Sequence, residues 1–439
     1  MADTATPITE PSLSELLAAR PQLASNAMDG LAFEHVPLNL IADQFGTPTY
    51  VYGADTIRAQ YKSLNSALTD AGLDVAIHYA VKANDHLAIL NLLRTEGAGA
   101  DVVSGGELAR ARRAGIEPSH IVFSGVGKTI PEIDRALAEP IGQINVESAE
   151  ELSCISARAR ALGKTARVAL RINPDVDAGG HHKISTGRAQ DKFGIPFADV
   201  ASLYVHARNL PGIRPVGIAL HIGSQILEMA PYRAAFAAAA QLVHQLRDLR
   251  QTVEVVDCGG GLGIDYRGQT AASPVAFAAA MRAHLHNLGV KLMIEPGRFL
   301  VGPAGLLLSS VILEKHTGVR RFVILDAAMN DLLRPALYDA WHGILPVSPQ
   351  SLHAPVSSTD VVGPICESGD IFARDRELPL FHPGDRVVLT DTGAYGAAMS
   401  SNYNARPRAA EVMIDGGKTY LIRPRQDLDS LWKDEIIPT

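Results

Sequence analysis

Lys82 lies within the run Tyr79-Ala80-Val81-Lys82-Ala83-Asn84, just past an apolar stretch at Asp74–Tyr79. A lysine on the lip of an apolar strand is desolvated, which favours the neutral amine and makes it a usable nucleophile. Taken alone, it reads better as the first residue of a surface loop. His221 opens the run His221-Ile222-Gly223-Ser224-Gln225; a neutral imidazole there suits stacking on a planar ligand, or a hydrogen-bonded place in the core. Cys258-Gly259-Gly260-Gly261-Leu262-Gly263 puts four glycines in five positions, which lets backbone N–H groups come close to an anion. The spacing is not that of a dinucleotide loop, and no helix start follows it. Glu295-Pro296-Gly297-Arg298 sets a carboxylate and a guanidinium three residues apart, at a ligand or in a surface ion pair. Ser104 and Glu107 after Asp101 are explained by a helix capping box. The adjacent His181 and His182 sit among no Asp, Glu or Cys set, and no metal site is expected. The long irregular stretch Asp175–Gly194 that holds them is of the kind that forms binding loops or lids.

These residues need elements that bring them together. Eight β-type runs alternate with helical ones: Asp74–Tyr79, Ala100–Val103, His120–Phe123, Gln143–Val146, Ala166–Ile172, Val216–His221, Val253–Asp257 and Lys291–Glu295. Helices fit Ala88–Glu96, Gly106–Ala114, Ile130–Ala138, Ala149–Leu162, Ala198–Asn209, Tyr232–Arg250 and Val275–Leu288. Such alternation signals βα units on a parallel sheet, and eight of them over about 250 residues match a (β/α)8 TIM barrel better than an open doubly wound sheet. From Gly302 the runs become strand-like between Gly, Pro, Asp and Asn turns, as expected of a mainly β C-terminal domain. The expected organisation is a flexible extension over 1–25, a segment 26–54 contributing to the β domain, the barrel over 55–303 and the β domain over 304–439.

Barrel enzymes work at the C-terminal ends of their strands, where all four chemical signals fall. A reactive lysine after strand one, a stacking histidine after six, an anion nest after seven and a carboxylate after eight surround one ligand. That ligand carries an aldehyde, a flat ring, a phosphate and a ring nitrogen that takes an acidic partner. Pyridoxal 5′-phosphate has all four.

The motifs YAVKAN (Tyr79–Asn84), HIGSQ (His221–Gln225), GGGLG (Gly259–Gly263), EPGR (Glu295–Arg298) and CESGD (Cys366–Asp370) together resemble the fold-type-III, group-IV pyridoxal-phosphate decarboxylases. The likeness runs from about residue 35 to 430 and implies a barrel of the alanine-racemase type. Met329–Tyr338 (MNDLLRPALY), with Ile184–Gly187 and Lys192–Gly194, is similar to the branch that converts meso-2,6-diaminopimelate to L-lysine and CO2, the last step of bacterial lysine biosynthesis. The resemblance implies Lys82 as the amine that takes the cofactor's aldehyde, Glu295 at the pyridine nitrogen and His221 on the ring. Ser224, Gly259, Gly260, Gly261, Gly297, Arg298 and Tyr395 would hold the phosphate. Arg298, Arg334, Tyr338, Glu367 and Tyr395 would bind substrate, with Glu367 on its distal ammonium. Cys366 would give a proton to the carbanion from a neighbouring subunit, so a homodimer with shared sites is implied. A decarboxylase of ornithine or arginine on the same fold, or a non-catalytic paralogue, are the alternatives. Lys82, Glu295 and Cys366 argue against the second.

Composition agrees with a small-molecule enzyme. The 439 residues are 47% hydrophobic and 20% charged, enough to bury a large core and too apolar for wholesale disorder. Forty Lys+Arg against 47 Asp+Glu give a net charge of −7, which argues against nucleic-acid or anionic-membrane partners. Three scattered cysteines make no disulfide framework or zinc ribbon; Cys154 and Cys258 read as buried and inert. The first twenty residues reverse the charge pattern of a secretory leader, and the longest uncharged run, Phe299–Leu313, is short of a membrane span. A cytoplasmic location is expected.

Overall fold

The computed structural model describes residues 10–176, 191–268 and 272–438. They form two compact units. One holds the described residues of 57–264 and 272–302; the other holds 10–56, 265–268 and 303–438.

The first unit is a closed barrel of eight parallel strands: β1 (Val75–Ala80), β2 (Gly99–Val102), β3 (Ile121–Phe123), β4 (Gln143–Val146), β5 (Ala166–Asn173), β6 (Ile213–Leu220), β7 (Val255–Asp257) and β8 (Lys291–Ile294). Each strand pairs with the next, and β8 closes on β1 through Leu292–Val75, Met293–Ala76 and Ile294–Ile77. The strands are buried along most of their length, as parallel strands covered on both faces must be.

Helix termini follow their cap residues. Ser104 and Ser148 each accept the amide three residues on, from Glu107 and Glu151. Each glutamate reaches one residue further back than a capping box does, to Val103 N and Glu147 N. Gly97 and Gly163 close their helices in the left-handed conformation. The helix Ala54–Asp70 before β1 was not expected, because its composition is mostly polar. Its apolar stripe Ile57, Tyr61, Leu64 and Leu68 is nonetheless buried, at helical spacing.

The second unit is built on the strand Gly305–Thr317. Its first half pairs antiparallel with Thr49–Gly53 and Arg386–Leu389, and its second half with Arg320–Leu325. Thr49–Gly53 also pairs parallel with Ala410–Asp415, so an early segment of the chain lies inside this sheet. Strands missed by sequence in this unit are the small sheet Leu23–Asn26, Gly30–Phe33 and Val36–Pro37, the short Ile344–Pro346 and the edge strand Ile371–Pro379. The last carries four charged residues and a break at Asp375, whose φ is +49°, which hides the alternation.

The described part of the N-terminal segment is not a loose extension. Leu13–Ala18 is a helix with a complete Ser12–Glu15 capping box. Leu16 is buried in one apolar cluster with Phe33, Val51, Leu306, Leu345, Val388 and Ile414. Arg20 is also buried and binds Asp391 through Nε at 2.9 Å, Leu16 O at 2.9 Å and Tyr266 O at 2.7 Å. The polar composition of this segment conceals these few anchors. Leu16→Ala should therefore lower stability by about 2–5 kcal/mol, read as an earlier denaturant midpoint at constant slope. An unchanged midpoint would mean the helix is not part of the fold.

Candidate active site

The barrel-unit residues singled out by sequence lie at the C-terminal ends of the strands. Lys82 sits in the 3-10 turn Val81–Ala83 after β1. Ala80 N donates to Pro296 O, and a side chain on Gly297 would meet Ala83 Cβ at 3.0 Å, so the Lys82 turn packs directly on Glu295–Arg298. The Lys82 Nζ lies 2.7 Å from Asp101 Oδ2 at the end of β2, with its side chain 31% exposed. It is thus a lysine paired with a carboxylate, not the amine in apolar surroundings that its strand-end position suggested.

The motifs after β6 and β7 are zipped together. Ile226 N donates to Gly261 O and Gly263 N to Ile226 O. The Gln225 side chain donates to Ile264 O at 2.6 Å and accepts from Ile264 N at 3.2 Å. The glycines are needed for this approach: a Cβ on Gly259 would fall 2.2 Å from Leu220 O, and one on Gly260 2.1 Å from Glu295 O. Arg298, also buried, reaches back from the β8 end to donate to Ser224 Oγ at 2.9 Å. Arg298 and Glu295 are therefore not a surface ion pair.

His221 accepts from Gly260 N at Nδ1, 3.3 Å away, which places the ring hydrogen on Nε2. Burial, with Arg171 and Lys82 nearby, pushes its pKa down to about 3, so the ring is neutral at ordinary pH. Glu295 is pushed up to about 7, by burial first and then by Asp101.

Below these groups is a polar layer that sequence reasoning missed. Gln143, Asn145 and Glu147 are inward-facing positions two apart along β4 and its end. Gln143 Nε2 donates to Asn145 Oδ1 at 2.7 Å. That fixes the amide so that Asn145 Nδ2 faces Asp257 Oδ2 at 3.0 Å, Ser124 Oγ at 3.1 Å and Glu295 Oε1 at 3.3 Å. Glu147 binds Arg171 at 2.6 Å and accepts from Gly194 N at 2.9 Å, while Arg171 lies over the Phe193 ring. This clamps the two ends of the stretch 174–194. His181, His182 and Ile184–Gly187 lie outside the described residues. The available signal was polar residues at period two within otherwise apolar strands.

The other candidates belong to the second unit. Arg334 and Tyr338 share the short helix Arg334–Tyr338. His342 Nδ1 donates to Thr390 O at 2.8 Å, so its Nε2 is free to accept from Arg334 Nη1 at 2.7 Å; the guanidinium also lies 4.8 Å from the Tyr266 ring centre. Cys366 and Glu367 are exposed, and Glu367 accepts from the Tyr403 hydroxyl at 2.8 Å. Buried Asp370 holds their loop, accepting from Ile365 N at 2.8 Å and Met329 N at 2.7 Å. Tyr395 is half-buried with a φ of +56°. Cys258 is buried as expected, whereas Cys154 is only half-buried. Among the described residues no group of three or more His, Cys, Asp or Glu could hold a metal, and no helix is long and apolar enough to cross a membrane.

The barrel-unit set fits pyridoxal phosphate. It offers an amine, a neutral flat ring, a glycine-lined backbone turn beside a serine and an arginine, and a buried carboxylate. Asp101 Oδ1 is buried with no hydrogen-bond partner among the described residues, so the site has an acceptor to spare. Residues 54–302 match the family of the pyridoxal-dependent decarboxylases, pyridoxal binding domain. The chain is 46% identical over 408 residues to a diaminopimelate decarboxylase of Zymomonas mobilis, covering 92% of this chain and 96% of that one. It superposes on the Helicobacter pylori diaminopimelate decarboxylase solved with L-lysine, with TM-score 0.87, 40% identity, and 90% and 98% of the two chains covered. For the M. jannaschii enzyme in complex with L-lysine the TM-score is 0.90, at 35% identity and 96% and 99% coverage. Likeness of this extent, carried by both units rather than by the cofactor-binding barrel alone, places the chain in the pyridoxal-dependent decarboxylase family, among the diaminopimelate decarboxylases.

Proposed function

We propose that this chain removes one carboxylate of meso-2,6-diaminopimelate to give L-lysine and CO2. The observation that carries the reading is the gathering of Lys82, His221, Ser224, Gly259–Gly261, Glu295 and Arg298 at one end of a barrel whose family is that of the decarboxylases. Pyridoxal phosphate, the family's cofactor, supplies a protonated ring that accepts the electron pair left when CO2 departs.

Lys82 would hold the cofactor through its amine, and Asp101, which pairs with that ammonium at 2.7 Å, would keep it placed whenever it is not so engaged. Glu295 binds the pyridine N–H with its carboxylate and keeps that proton in place. Neutral His221 lies against the ring without opposing its positive charge. The Ser224 hydroxyl, Arg298 and the amides of Gly259, Gly260, Gly261 and Gly297 hold the phosphate, with the Tyr395 hydroxyl.

Arg334 and Arg298 suit bidentate binding of substrate carboxylate, with the Tyr338 hydroxyl beside Arg334. The Arg334 guanidinium donates to the His342 acceptor and lies over the Tyr266 ring, contacts that fix its plane. Glu367 takes the distal ammonium. Cys366 Sγ delivers a proton to the carbon that lost its carboxylate. The exposure of Cys366 and Glu367 on one chain suits residues that serve the site of a second copy, and the active species is read as a homodimer in the cytoplasm.

Purified protein given meso-diaminopimelate should release lysine and CO2, and should show a visible cofactor band that Lys82→Ala abolishes. Faster turnover of ornithine or arginine would overturn the substrate assignment. Arg334→Lys, which keeps the charge and loses the fork, should weaken substrate binding about 10–100-fold, read in KM. Cys366→Ala should lower kcat about 10²–10⁴-fold. Mixing inactive Cys366→Ala and Lys82→Ala proteins under subunit exchange should restore turnover if sites are shared, and should restore none if each chain is self-sufficient.

A further inference from the structure

Asp257 is fully buried at the end of β7 and has no part in the roles above. Its Oδ1 accepts from Gly259 N at 3.0 Å, and its Oδ2 accepts from Asn145 Nδ2 at 3.0 Å. The same Asn145 amide nitrogen lies 3.3 Å from Glu295 Oε1, so one amide spans both carboxyl groups. Four acidic side chains, Asp101, Glu147, Asp257 and Glu295, act on this site, and the cations that act on it among the described residues are Lys82 and Arg171. Both cations are already paired, Lys82 with Asp101 and Arg171 with Glu147. His221, 3.8 Å from Glu295, is neutral. Two further negative charges would face each other across a few ångströms without water, and a pair so placed keeps a proton.

We propose that Asp257 is a positioning residue: it is a neutral carboxylic acid whose O–H donates to Glu295 and aims the Glu295 carboxylate at the cofactor's ring nitrogen. Asp257 carries the proton because it is fully buried at the end of β7, where burial outweighs the Gly259 N–H and Asn145 hydrogen bonds that favour its charged form, while Glu295 has an oxygen toward His221 and the site. Burial and the adjacent Glu295 both push Asp257 well above the usual carboxylate range, in the same direction. Gln143 belongs to the device, since its hydrogen bond to Asn145 Oδ1 decides which way the bridging amide faces. The inference rests on Glu295 being the partner of the ring nitrogen.

The test compares holoenzymes by infrared spectroscopy and cofactor affinity. Native holoenzyme at neutral pH should show a protonated-carboxyl stretch that shifts in D2O and is absent from Asp257→Asn. Asp257→Leu should weaken cofactor binding about 10–100-fold, the value of a buried hydrogen bond to a charged group. Asp257→Asn, which keeps a neutral donor of the same shape, should stay close to native. Absence of the band in native protein would overturn the proposal, as would an Asp257→Asn affinity as poor as that of Asp257→Leu. Glu295→Gln separates the two readings: if it loosens the cofactor and Asp257→Leu does not, only the Asp257 role fails. If Glu295→Gln binds cofactor like native, the Glu295 assignment fails as well.

Discussion

The barrel unit is organised around negative charge held out of water. A buried carboxylate is tolerated only with a cation, a set of hydrogen bonds or a proton, and this barrel supplies cations and hydrogen bonds. Asp101 has Lys82 and Glu147 has Arg171. Asp257 and Glu295 have the Asn145 amide, the Ser124 hydroxyl and the Gly259 N–H. The same charge distribution explains why His221 stays neutral although acidic groups surround it. Burial and the two cations outweigh the pull of Asp101 and Glu147. A ligand that brought a cationic nitrogen next to Glu295 would relieve this excess, which would tie ligand binding to the electrostatics of the strand ends.

Close backbone approach is the second condition. Glycines 259 and 260 stand where any side chain would enter the carbonyl oxygens of Leu220 and Glu295, so they let the ends of β6, β7 and β8 converge. Gln225 and Ile226 then hold the β6 and β7 loops in register. An anion nest and tight packing of three strand ends are thus one arrangement. A glycine run read only as a phosphate signature explains half of it.

This also marks what a sequence can disclose. Strand and helix alternation was legible because the barrel strands are largely buried on both faces and several helices, such as those capped by Ser104, Ser148 and Ser273, have a cap residue at their start. The motif residues were legible because strand ends in a barrel converge. Gln143, Asn145 and Asp257 went unread: polar residues at period two in an apolar strand are a faint signal, and they acquire meaning only from neighbours over a hundred positions away, as with Asn145 and Asp257. The environment of Lys82 was misjudged for the same reason: its partner Asp101 lies nineteen residues on, at the end of another strand. Residues 1–25 read as a flexible extension because the anchors in their described part, Leu16, Arg20 and Leu23 among them, are few and scattered in a polar stretch.

In the second unit, buried polar residues act on loops rather than on ligands. Asp370 draws the loop carrying Cys366 and Glu367 against Met329, so the acid of that motif serves its geometry while the cysteine and glutamate remain exposed. Asp391 is bound by Arg20, and its neighbour Thr390 supplies the carbonyl that sets the His342 tautomer. That tautomer in turn decides that His342 meets Arg334 as an acceptor rather than as a second cation. A chain of contacts therefore leads from the N-terminal helix to the orientation of one arginine. Substitution along it would alter how Arg334 is presented without removing any group that touches the substrate, because a guanidinium gains its bidentate grip only when its plane is held.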